Sequence, residues 1–136
     1  MVVRVKLAVT SGEGRPVGVV ALANGGYEFE TAELALPVKI AGMLGLRQRI
    51  KTAKKEKYFS ASGSFTVVRL PRVVKVQVEV EDRNPSPVEA DAIMAANLDE
   101  VLLSDHLITV LGNVILDPAM GRWRFRDDPP EKVQRT

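Results

Sequence analysis

The 136-residue sequence contains no cysteine and one histidine, and aromatic side chains make up only 5% of it. Without thiols there can be no disulfide and no thiolate nucleophile, and a single imidazole cannot build a zinc site of the usual His/Cys kind. Local spacing offers no Ser/His/Asp group either. No apolar run approaches the ~20 residues that span a bilayer. The opening Met1-Val2-Val3-Arg4-Val5-Lys6-Leu7 alternates apolar and charged residues, unlike the apolar segment of a signal peptide. The expectation is a soluble, cytoplasmic protein with no metal, no cofactor and no membrane partner. Asparagine and glutamine are also scarce, at four and three residues beside 26% charged side chains, a balance that leans towards a thermophilic source. The length suits one domain that builds its own core.

Charge is present but unevenly spread. Residues 1–80 carry 13 Lys and Arg against 6 Asp and Glu, whereas residues 81–136 carry 6 against 11. The first half is therefore +7 and the second −5, which favours an anionic partner for the first or association between opposite faces.

Residues 2–9 alternate in period two, as a strand with one buried face does. Ser11-Gly12-Glu13-Gly14-Arg15-Pro16 has hairpin-turn composition. A phosphate-cradling loop would need a helix after it, and Val17 to Leu22 is a strand instead. Asn24-Gly25-Gly26 suits a sharp reversal, and Tyr27 to Leu36 is extended. Pro37 opens a short helix with Ile40, Ala41 and Leu44 on one face, ended by Gly45.

From Arg47 to Lys57 there are six basic residues and one acidic. Only Tyr58 and Phe59 stand close enough to stack on bases, so the sequence favours a solvated loop or charge-protected edge strand over a nucleic-acid contact. Tyr58 to Val68 forms a hairpin with a small polar tip, and Val73 to Glu81 alternates as a clean strand. Val88 to Ala95 gives another strand. Ser104 caps a helix from Asp105 to Leu111 that Gly112 ends. Asn113 to Leu116 and Arg122 to Arg126 complete the strands, with Trp123 as a packed strand residue, and a polar tail follows over 127–136. Many short strands with two short helices make a mainly β barrel or sandwich.

Over roughly residues 2–126 the order of these pieces resembles the retropepsin-like aspartic proteases, single-domain relatives of the retroviral enzymes. Leu22-Ala23-Asn24-Gly25-Gly26 stands where that family has Leu-Val-Asp-Thr-Gly, and Leu36-Pro37 with Leu44-Gly45-Leu46 matches a pattern of its non-viral members. Leu102 to Gly112 follows the family's second half in register, with Ile115-Leu116-Asp117-Pro118 beyond it. The resemblance implies a closed retropepsin-like barrel with two short helices over residues 1–126. It further implies a homodimer, a cleft for an extended peptide or protein segment, and a flap hairpin tipped by Ser60, Ala61, Ser62, Gly63 and Ser64.

The family's chemistry uses two Asp carboxylates, one from each subunit, sharing a proton around a water. Asn24 occupies that position, and an amide cannot serve as general base. Gly25, ahead of Gly26, replaces a Thr or Ser whose hydroxyl links the two loops. Ser104 and Asp105, followed by His106, replace a Gly-Arg pair that supports them. The expectation is a binding relative that has lost catalysis at Asn24. The alternatives are a weakly active peptidase, using a displaced carboxylate (Glu28, Glu30, Asp105 or Asp117) or an Asn24 deamidated at the Asn-Gly step, and a nucleic-acid-associated protein using residues 47–57.

Overall fold

A computed structural model describes residues 3–12, 14–23, 31–60 and 63–135. Asn24, Gly25, Gly26, Glu28, Glu30, Ala61 and Ser62 lie outside the described residues.

Strand β1 (Arg4–Ser11) turns at Gly12, whose φ of 56° suits a residue without Cβ, into β2 (Val17–Leu22), and the two pair antiparallel. After them come β3 (Glu33–Leu36), the hairpin arm β4 (Lys55–Ser60) and β5 (Gly63–Val78), then β6 (Val88–Met94) and the three-residue β7 (Val101–Leu103). The sheet order β1-β2-β7-β3-β6-β5 closes because β5 also pairs with β1, so six strands form a barrel and β4 extends from β5 outside the ring. The period-two pattern of β1 is what fills it. Val3, Val5, Leu7 and Val9 are all fully buried, meeting Val74, Val76 and Val78 of β5 in one core. Full burial of each such side chain stabilises by roughly 1.5–3 kcal/mol.

Among the described residues three short helices accompany the barrel, one more than the sequence suggested. The first, α1 (Val38–Met43), has Pro37 at its N-cap, one place earlier than expected, and Gly45 follows it with φ 75°. The additional one, α2 (Arg47–Thr52), lies in the basic run read from sequence as loop or edge strand. Ile50 is its sole apolar residue, so no apolar stripe announces it. It forms because Leu46, 1% exposed, anchors its start and accepts the first helical hydrogen bond from Ile50 N at 3.0 Å. The Arg47 side chain lies over Gly42, with Nε only 2.8 Å from where a Cβ would stand. The third, α3 (Asp105–Val110), is capped by Ser104 as expected and buries Leu107 and Ile108. Among the described residues no helix is long and apolar enough to cross a membrane.

Strand β5 runs continuously through Leu70-Pro71-Arg72, where the sequence suggested two separate strands. Its pairing with β6 shifts register between Leu70 and Val74, and Arg72 sits there with φ 49°, the one positive φ at a non-glycine among the described residues. Such a conformation costs an L-residue about 1–2 kcal/mol. Proline, which has no N–H to give, is tolerated at a break in the ladder. The Arg72 N–H is taken by Asp91 Oδ1 at 2.8 Å, so a side chain replaces the missing strand partner.

Beyond α3, strands β8 (Asn113–Asp117), β9 (Arg122–Phe125) and β10 (Gln134–Arg135) form a small antiparallel sheet in the order β10-β9-β8. Trp123 and Phe125 are 3% and 2% exposed and meet edge to face at 5.2 Å between ring centroids. Asp117, expected in a turn, is the last residue of β8 and accepts from Met120 N across the turn that follows. The C-terminal segment, expected to be a loose polar tail, is instead tied down. β10 pairs with β9, and the buried Asp128 accepts from Phe125 N at 2.9 Å.

Candidate functional site

Strands β2 and β7 are parallel, with Leu22 beside Leu102, so the chain leaves both at the same end of the barrel. β3 runs antiparallel to β7, with Leu34 beside Leu103, and therefore begins at that end. The segment 24–30 joins β2 to β3, so both its ends and the start of α3 converge on one mouth. This convergence is a consequence of strand direction alone.

Ser104 ties the mouth together. Its side chain is fully buried, and its Oγ accepts from Glu33 N at 2.9 Å and from Leu107 N at 3.2 Å while donating to the Thr31 carbonyl at 3.2 Å. A hydroxyl offers one donor and two acceptor sites, and all are used. Ser104 N also donates to the Glu33 carbonyl at 3.0 Å, and Asp91 N to the Ala32 carbonyl at 2.9 Å. One residue thus caps α3 and fixes the chain where it re-enters the barrel after residue 30.

An ionic cluster lies directly behind. Glu33 is 0% exposed and Asp91 6% exposed. The Arg69 guanidinium bridges them, with NH1 3.3 Å from Glu33 Oε1 and NH2 2.5 Å from Asp91 Oδ2. Thr31 Oγ1 donates to Glu33 Oε1 at 3.0 Å and accepts from Arg69 NH2 at 3.0 Å. Glu56 Oε2 stands 4.0 Å from Arg69 NH1. Each buried carboxylate is engaged by fixed donors, an arrangement suited to holding strands β3, β5 and β6 in register rather than to taking a proton from water.

The structure brings some of the sequence-predicted site residues to this mouth and leaves others away from it. Ser104 is at its centre. Asp105 is half-buried, and its Oδ1 has no hydrogen-bond partner among the described residues. His106 is exposed on α3. In the predicted flap, β4 and β5 pair out to Ser60 opposite Gly63, and Gly63 and Ser64 are exposed at the end of the arm. No group of three or more His, Asp or Glu residues placed to hold a metal occurs among the described residues.

Sequence reasoning missed Thr31, Glu33, Arg69 and Asp91. A signal was present, since Glu33 is a lone charge before Leu34-Ala35-Leu36, and Arg69 and Asp91 each stand between two apolar neighbours. An inward charge in such a stretch requires a partner.

A second arginine cluster joins the barrel to the small sheet. Arg83 NH1 is 2.8 Å from Asp127 Oδ1 and 3.2 Å from Asp128 Oδ1, and its guanidinium lies 4.2 Å from the centroid of the Phe125 ring. Its hydrogen bond to Asp127 raises the Arg83 pKa and holds the Asp127 carboxyl below its ordinary value. The groove beside it, about 480 Å³ and bordered by Arg83, Phe125 and Asp127, shares no lining residue with the mouth. Compared with models of known protein families and with curated proteins, the chain matches none.

Proposed function

We propose that this protein is a retropepsin-like barrel acting as a homodimer, in which Asn24 has replaced the catalytic aspartate and the cleft binds an extended peptide or protein segment. The observation that carries the reading is the Ser104 tie. It ties Thr31 and Glu33, where the chain enters β3, to the start of α3, and a tie between these two elements supports reading the family's architecture at this end of the barrel. Extended segments are held in such clefts by strand-like backbone hydrogen bonds, for which a hairpin such as β4–β5 supplies one wall.

A second copy finds support at the other end of the chain. β8 pairs on one side only among the described residues, and Val110, Leu116 and Met120 around it are 45%, 44% and 57% exposed. Asn113, at the start of β8, is 5% exposed, and neither its side-chain oxygen nor its nitrogen has a hydrogen-bond partner among the described residues. An open strand edge beside exposed apolar side chains favours association.

The test is a peptidase assay across roughly pH 3 to 8, the window of carboxylate and imidazole titration, on the natural protein, Asn24→Asp and Asn24→Ala, with the molar mass of each measured by light scattering. Cleavage by Asn24→Asp alone, from a dimer, is the expected result. A natural protein that cleaves while Asn24→Ala does not would make position 24 catalytic. A monomer with no cleavage in any form would overturn the reading.

A further inference from the structure

The basic run that sequence alone favours as a solvated surface meets a second basic element in the folded protein. A groove of about 300 Å³, at the small end of ligand-binding clefts, is bordered by Arg49 of α2, Arg72 and Lys75 of β5, Thr10 of β1, Gly12 of the β1–β2 turn, and Glu89 of β6. Three cations face one carboxylate there. We propose that this groove is a phosphate-binding site on the outside of the barrel, and that together with the adjoining 47–57 run it binds the sugar-phosphate backbone of a nucleic acid.

Arg72 is the residue that makes this a built site rather than a chance collection of lysines. It stands at the bulge of β5, in the one strained non-glycine conformation among the described residues, and its N–H is held by the buried Asp91. Asp91 is in turn fixed by Arg69. The barrel's internal ion cluster therefore aims an 80% exposed side chain outward. Strain retained at a bulge is a recognised companion of function. Arg72 Nε is engaged by Glu89 Oε1, which orients the guanidinium and leaves its two terminal amino groups to receive an anion.

The count of cations favours a chain of phosphates over a single one. None of the six basic residues of the 47–57 run, nor Lys75, has a carboxylate partner among the described residues. One phosphate needs two or three donors, and the groove alone provides them. α2 packs against β5, so the run continues directly from the groove. Contacts to phosphate require no stacking aromatic, which removes the objection raised by the scarcity of aromatics near this run.

The test is fluorescence anisotropy with a labelled single-stranded oligonucleotide and a labelled duplex, titrated at several salt concentrations and competed with inorganic phosphate and with a mononucleotide. Arg72→Gly removes the cation while suiting the positive φ, and Arg49→Gln and Lys75→Gln act at exposed positions, so all three remain folded by circular dichroism. Each is expected to weaken binding about three- to tenfold and to lower the slope of log K against log salt by about 0.7–0.9, one phosphate contact. Arg135→Gln, on β10, is expected to change nothing. Binding that ignores salt, that survives all three groove substitutions, or that falls equally in Arg135→Gln would overturn the proposal. Competition by inorganic phosphate or mononucleotide at concentrations matching the oligonucleotide would overturn the nucleic-acid assignment in favour of a small phosphate ester.

Discussion

Arg69 gathers Glu33, Asp91 and, at 4.0 Å, Glu56, whereas Arg83 gathers Asp127 and Asp128, and the charges do different work in the two places. Around Arg69 two of the carboxylates are inside the barrel, with the Glu33 and Asp91 side chains 0% and 8% exposed. Around Arg83 one partner, Asp128, is 5% exposed but the other, Asp127, is 72% exposed. Water can replace Arg83 for Asp127. Nothing of comparable polarity can replace Arg69 for Glu33, because desolvated charges that lose their partner have no solvent to return to. The inner cluster thus locks the register of three strands, while the outer one trims the contact between barrel and small sheet.

Removal of the central cation separates the two most sharply. Arg69→Leu leaves Glu33 and Asp91 buried without their shared counter-charge and is expected to lower unfolding free energy by about 3–5 kcal/mol, the usual cost of breaking a buried ion pair. Urea unfolding followed by circular dichroism measures it. A loss of the size seen for surface pairs would show that water reaches the cluster and that the two regions are alike.

Ser104→Ala is expected to cost less, about 2 kcal/mol, because it removes a helix cap and orphans the buried amides of Glu33 and Leu107. Hydrogen exchange locates the damage. Protection should fall at Glu33 and Leu107 and stay unchanged at Phe125, whose amide is held by Asp128. Equal loss at Phe125 would mean that the mouth and the small sheet open as one unit.

The smallest effect belongs to Asp127→Asn. Arg83 holds the folded pKa of Asp127 below its ordinary 3.8, so the group's contribution is fully present above that value and is lost as pH falls through the lowered one. The variant and the natural protein should therefore differ slightly at neutral pH and converge in acid and in high salt, as comparison of urea midpoints would register. A difference that persists in acid would assign the role of Asp127 to packing.

How much of this was legible beforehand depended on whether the signal was local. Alternation in Val3 to Val9 and Val73 to Val78 marked strands because one face of each is buried. Ser104, Gly45 and Gly112 marked helix ends because a cap and a positive φ demand particular residue types. α2 escaped because it depends on Leu46 and on the bare surface of Gly42 rather than on an apolar stripe of its own. The continuity of β5 across Pro71 escaped because Asp91, far along the chain, supplies the acceptor for Arg72 N. Of the candidate site, Ser104 was legible as a cap but not as the anchor of Thr31 and Glu33, a role that the antiparallel pairing of β3 and β7 creates.

The ring of strands also sets an order of events for a chain emerging from synthesis. The β1–β2 and β4–β5 hairpins join neighbours in sequence and can form early, and β6 can join β5 soon after. The gap between β2 and β3 is filled by β7 alone, three residues long, where Leu22 must wait for Leu102. Until then the barrel is an open curl with two unpaired edges. Such late, distant pairing slows folding and exposes edges to other chains. Substitutions in Val101 to Leu103 should therefore reduce the yield of folded protein during expression more than their effect on the finished barrel would suggest.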